Sequence, residues 1–222
     1  MSGTPSVRAI SPHQASKAAA ACTAAFATLS VLVASGALNG LDQWAVDHLM
    51  PGHPGQGEAP SLAEAAVPLL HASWATPLDV VANIVTLPAQ ALISSVLAAI
   101  CCLLLWRRGE RRAAYALGAA WIAANAVEVL CKSTLSRPLL HWNGHALLGL
   151  ESSFPSGHTL RAVLLAAAAA AVWPAARRWL AFWAAATLVL LELDGFHVPS
   201  DIAGGLLLAA LALLAARDVA RV

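Results

Sequence analysis

Three short polar clusters interrupt an otherwise apolar chain, and each contains groups suited to an anion. In Pro155-Ser156-Gly157-His158, Ser156 is a good helix N-cap and Gly157 lets a ligand approach the backbone closely. The first amides of a helix opening there point outward with the positive end of its dipole, which makes a phosphate site. His158 adds an imidazole able to protonate a leaving alkoxide. In His197-Val198-Pro199-Ser200-Asp201, the histidine and the aspartate are four apart and share one face of a helical turn. The carboxylate takes the proton of one ring nitrogen and leaves the other free to attack. In Lys132-Ser133-Thr134-Leu135-Ser136-Arg137-Pro138, Lys132 and Arg137 supply positive charge, and an arginine can grip two phosphate oxygens at once.

Arg161 stands one turn past His158, and helical side chains lean toward the N-terminus, so it leans toward His158. Two readings stay open for it. One is a contact to the same anion; the other is a structural ion pair with Glu128 or Glu192. Glu128 lies four residues before Lys132, which suits an i,i+4 pair. His141 and His145 are also four apart, but Leu139, Leu140, Trp142 and Leu147 around them read better as an interfacial segment than as a metal site.

These clusters need elements that hold them at one depth. The chain has 222 residues, is 59% hydrophobic and 11% charged, and carries a net charge of +1. Its mean hydropathy is +0.69. A soluble domain is about 25% charged, so a cytosolic or secreted globular enzyme is excluded, as is intrinsic disorder. Continuous Ala/Leu-rich runs argue against a β-barrel. They predict an all-α polytopic membrane protein, a bundle of six transmembrane helices. The expected spans are Ala18–Leu38, Leu78–Trp106, Ala113–Cys131, Gly157–Trp173, Ala175–Leu193 and Ile202–Ala216. Cys22, Cys101, Cys102 and Cys131 all fall within apolar runs and read as packed thiols.

Charge decides the orientation. Arg8 and Lys17 precede the first span; Arg107, Arg108, Arg111 and Arg112 separate the second from the third. Arg177 and Arg178 separate the fourth from the fifth, and Arg217 and Arg221 follow the sixth. Six spans put all of these on one side, the cytoplasm, with both termini. The opposite side holds Asp42, Asp47, Glu58, Glu64, Asp79, Glu151, Asp194 and Asp201. Residues 1–17 read as a disordered cytoplasmic tail and 18–222 as one membrane domain, with 39–77 and 132–156 as extracytoplasmic loops. Pro51 to Pro60 reads as a flexible part of the first of these loops. Ala34-Ser35-Gly36-Ala37 would suit a cleaved signal peptide, but the apolar run is longer than the usual core of about 7–15 residues, which favours a retained anchor. The protein is expected in a plasma (inner) membrane. All three polar clusters then fall at span ends on the outer face.

Together the clusters resemble the type 2 phosphatidic acid phosphatase superfamily of membrane phosphatases, which carries Lys…Arg-Pro, Pro-Ser-Gly-His and Ser-Arg…His…Asp motifs in this order. The likeness covers Lys132 to Asp201. It implies that His197 is a nucleophile forming a phosphohistidine, that Asp201 orients it, and that His158 is the general acid. It implies that Lys132, Arg137, Ser156 and Gly157 hold the phosphoryl group, with no metal and no cofactor. Arg161 joins this set if it takes the place of a missing clamp residue. The partners it implies are the bilayer and a lipid-phosphate substrate of the phosphatidate, phosphatidylglycerophosphate or polyprenyl pyrophosphate class; no nucleic acid is expected.

Two departures stand out. Four residues separate Lys132 from Arg137, where the family usually has six. Leu191 occupies the place of the third motif's arginine. These departures keep a non-catalytic lipid-phosphate binder or transport component as the alternative. A vanadate haloperoxidase shares the site chemistry by resemblance, but the membrane bundle argues against it.

Overall fold

The computed structural model describes residues 12–50 and 76–221. Residues 1–11, 51–75 and 222 lie outside it, including most of the expected tail and the Pro51 to Pro60 loop. The described chain is helical almost throughout. Its helices are α1 (Pro12–Ala34), α2 (Asn39–Leu49), α3 (Pro77–Thr86), α4 (Ala91–Arg107), α5 (Arg111–Thr134), α6 (Gly157–Val172), α7 (Arg177–Leu193) and α8 (Pro199–Arg221). Helix α1 starts at Pro12, within the expected tail, and α2 lies within the expected outer loop.

Local chemistry sets the breaks. Helix α3 opens on a capping box: the Thr76 hydroxyl accepts from the Asp79 amide, the Asp79 carboxylate accepts from the Thr76 amide, and Pro77 follows at the first helical position. The expected second span is two helices, α3 and α4, bent by 44° across a turn at Leu87–Ala89. Pro88 explains the bend, because it has no amide to donate and its ring clashes with the preceding turn. Pro174 separates α6 from α7, and Pro199 starts α8.

Three described helices, α1, α5 and α8, are long and apolar enough to cross a membrane, and a fourth span follows if α3 and α4 act as one. Helix α6 is apolar but shorter. It forms the centre of the bundle and packs against α4, α5, α7 and α8. Small residues such as Ala162, Ala166, Ala168 and Ala169 allow that close approach. Large apolar side chains such as Val31, Ile122, Trp179 and Phe182 face outward. A small interior with a large apolar exterior is the pattern of a membrane protein.

The 132–156 loop is ordered and folds over the same bundle end as α2. A hairpin pairs His141 with Ala146 and Trp142 with His145. Its turn residues Asn143 and Gly144 both have positive φ, the geometry for which Asn-Gly is selected. Val46, Met50, Leu140, Leu147, Leu150 and Val198 pack beneath this hairpin. Gln43 of α2 bonds both the amide and the carbonyl of His141 at 2.9 and 2.6 Å.

Candidate active site

Helices α5, α6 and α8 bring their polar ends to one end of the bundle. Ser156 caps α6, and its hydroxyl accepts from the Thr159 amide at 3.2 Å. The Ser156 amide donates to the Asp201 carbonyl at 3.0 Å, which ties the opening of α6 to the first turn of α8. In consequence the rings of His158 and His197 meet edge to face, with centroids 5.9 Å apart.

His197 directs Nδ1 at Asp201 Oδ2, 3.4 Å away. With the proton on Nδ1, Nε2 presents its lone pair for attack. Burial pushes the His197 imidazole below its ordinary value of 6.5, while the Asp201 hydrogen bond and charge pull the other way. The ring is therefore neutral at neutral pH.

Asp201 is fully buried and held from several sides. Ser153 donates to its Oδ2 at 2.6 Å, and Arg137 Nη2 pairs with its Oδ1. Arg137 Nη1 also pairs with Asp42 Oδ2 at 2.9 Å. Asp42 in turn accepts from the Ser200 hydroxyl at 2.7 Å and from the Ser200 amide at 3.2 Å. Burial pushes the Asp42 carboxyl above its ordinary 3.8, opposed by Ser200 and by the Arg137 charge. Arg137 thus spends its guanidinium on two carboxylates, and its side chain is 1% exposed. The shorter spacing from Lys132 accompanies this inward placement.

Lys132 and Arg161 meet at a different point. Glu128 pairs with Lys132 Nζ at 2.8 Å and with Arg161 Nη1 at 2.9 Å. Arg161 also donates from Nε to the Ala89 carbonyl at 3.0 Å and from Nη1 to Asn125 at 3.3 Å. Of the two partners open to it in the sequence, Glu128 is the one it takes. Leu191, at the place of the family's arginine, is buried, and its carbonyl accepts from the Phe196 and His197 amides.

The structure therefore joins His158, His197 and Asp201 in one cluster, with Ser156 and Gly157 beside them. It joins Lys132 and Arg161 through Glu128, and it turns Arg137 toward Asp42 and Asp201. Asp42 and Ser153 belong to this site and were not singled out from the sequence for it. Ser153 stands three residues before Ser156, a nearness that could have flagged it. Asp42 is distant in sequence and carries no motif.

No match is found among curated proteins or among solved structures. Residues 113–221 match the family model for the PAP2 superfamily. The matched segment contains α5 from its third residue, with α6, α7 and α8 and every expected site residue from Lys132 to Asp201. Members of this superfamily are phosphatases, which supports phosphatase activity in general. Through these four helices and the polar ends they bring together, residues 113–221 of the chain belong to the PAP2 superfamily.

Proposed function

We propose that this protein hydrolyses a lipid phosphate monoester or pyrophosphate at the extracytoplasmic face of a six-span bundle, through a phosphohistidine on His197. The observation that carries the reading is the pairing of His158 with His197 at 5.9 Å, with Nδ1 of His197 turned to Asp201. One phosphoryl group can reach both rings. His197 Nε2 attacks phosphorus and forms the P–N bond as the P–O bond to the lipid breaks. His158, which takes up a proton when the phosphoryl anion binds beside it, gives that proton to the departing oxygen. His158, now neutral, takes a proton from water, whose oxygen attacks phosphorus and breaks the P–N bond. Inorganic phosphate leaves and both histidines are restored.

The α6 amides behind Ser156 and Gly157, with Lys132 and Arg161, hold the phosphoryl oxygens. Arg137 acts differently from a clamp: it fixes Asp201, and Asp42 fixes Arg137. The lipid tail stays in the bilayer. Both termini lie in the cytoplasm of a plasma (inner) membrane, by the distribution of basic residues.

One observation favours a non-catalytic lipid-phosphate binder on the same scaffold. The clamp is thinner than the family pattern, with Leu191 buried in place of an arginine and Arg137 committed to carboxylates. Purified protein tested in EDTA against a panel of lipid phosphates separates the two readings. The hydrolase reading expects phosphate release from at least one lipid and its loss in His197→Ala. Binding of the lipid phosphates without release from any of them establishes the binder.

A further inference from the structure

One carboxylate stands where this reading puts a phosphoryl group. Glu128 is 4% exposed, although it sits near the end of α5 and two helices meet over it. Its Oε1 lies 2.8 Å from Lys132 Nζ and its Oε2 lies 2.9 Å from Arg161 Nη1. A Cβ on Gly157 would collide with the Glu128 carboxylate, so that carboxylate lies against the first residue of α6. Two cations and a helix N-terminus thus converge on two oxygens. These are the same groups that the proposed reaction needs for the oxygens of its substrate.

We propose that Glu128 is a built-in stand-in for the substrate: its carboxylate fills the anion site of the resting protein, and an incoming phosphoryl group must displace it. The inference rests on the reading above and deepens it. Displacement does not strand Glu128. Its carboxylate swings away from Gly157 and Arg161, while Lys132, whose side chain is 33% exposed on the same helix, stays to meet the incoming phosphoryl oxygens.

The arrangement also selects among headgroups. A bilayer presents many phosphodiesters, each with a single negative charge. A resident carboxylate matches that charge and is already in place, so a diester gains nothing by exchange. A phosphate monoester or pyrophosphate carries more charge over more oxygens and gains more from each cation. Glu128 therefore admits the monoester or pyrophosphate class and turns away the diester class.

The test is the affinity of the detergent-solubilised full chain for inorganic phosphate and for diethyl phosphate, by calorimetry. Glu128→Gln removes the resident charge and keeps the shape. It is expected to tighten phosphate binding by on the order of tenfold and to make diethyl phosphate binding measurable. Glu128→Asp keeps the charge but withdraws it from Gly157, and should tighten phosphate binding by a smaller factor. If Glu128→Gln does not fold, Glu128→Asp decides alone. A purely structural Glu128 predicts the opposite sign, because Lys132 and Arg161 lose the group that aligns them. Unchanged or weaker phosphate binding in the folded variants overturns the proposal. Tighter binding without phosphate release from any lipid upholds it and removes the hydrolase reading instead.

Discussion

Arg137 is the residue whose type announces one role and whose surroundings give it another. Its guanidinium bridges Asp42 and Asp201, so in the proposed reaction it acts through Asp201 and His197. Replacement by glutamine leaves two buried carboxylates without a cation, and breaking such a pair costs about 3–5 kcal/mol of stability. The pH profile separates positioning from clamping. Burial holds His197 below 6.5, so the acid limb of kcat/KM is expected below that pH in the wild-type protein. Without Arg137 the Asp201 charge acts on His197 uncompensated and favours the imidazolium. The acid limb of Arg137→Gln should then move to higher pH, kcat should fall by on the order of a hundredfold, and KM should change little, while Arg137→Lys recovers part of the rate. A raised KM with an unmoved acid limb would make Arg137 a phosphate ligand.

Elements do their work by approaching each other closely at the site. Gly205 of α8 lies under the loop that opens α6, and a Cβ there would meet the Ser156 carbonyl at 2.6 Å and the Thr159 side chain at 2.8 Å. Gly205→Ala should push α8 from α6 and separate His197 from His158. Overpacking of this kind costs about 1–3 kcal/mol, so thermal stability should fall modestly, and kcat should fall more steeply than that loss implies. Unchanged kcat in Gly205→Ala would mean that the two helices need not hold that spacing.

The same scale shows what the sequence makes legible. Helices α5, α6, α7 and α8 lie close to the expected third to sixth spans, because long Ala/Leu runs bounded by Arg, Ser or Pro leave few other solutions. Ser156 at the N-cap is a local feature of the sequence. His197 lies two residues before α8 and not on its first turn, so the chain entering that helix, and not the helical period, brings its ring to Asp201. The bend at Pro88 was hidden because hydropathy averages over it, although the proline itself is a local signal. Asn143-Gly144 is a local turn signal too, but the apolar residues on both sides of it read as an interfacial segment. Asp42 was not legible as a site residue. It reaches Arg137 across 95 residues, and only tertiary packing creates that contact.

At the scale of the whole molecule, the account needs all the polar ends on the extracytoplasmic side. A cysteine at Gly144, in the hairpin turn over the site, should react with an impermeant maleimide added outside intact cells. A cysteine at Gly109, between α4 and α5, should react only after lysis. The reverse pattern would move the site to the cytoplasm.

The central claim is covalent chemistry at one imidazole. Its most direct measurement is a brief pulse with a lipid phosphate carrying a radioactive phosphoryl group, followed by an alkaline quench that preserves phosphohistidine. The account predicts acid-labile label on the wild-type chain, confined to the peptide containing His197, and no label on His197→Ala. Label that persists in His197→Ala, or turnover by wild-type protein with no trapped label, would contradict it.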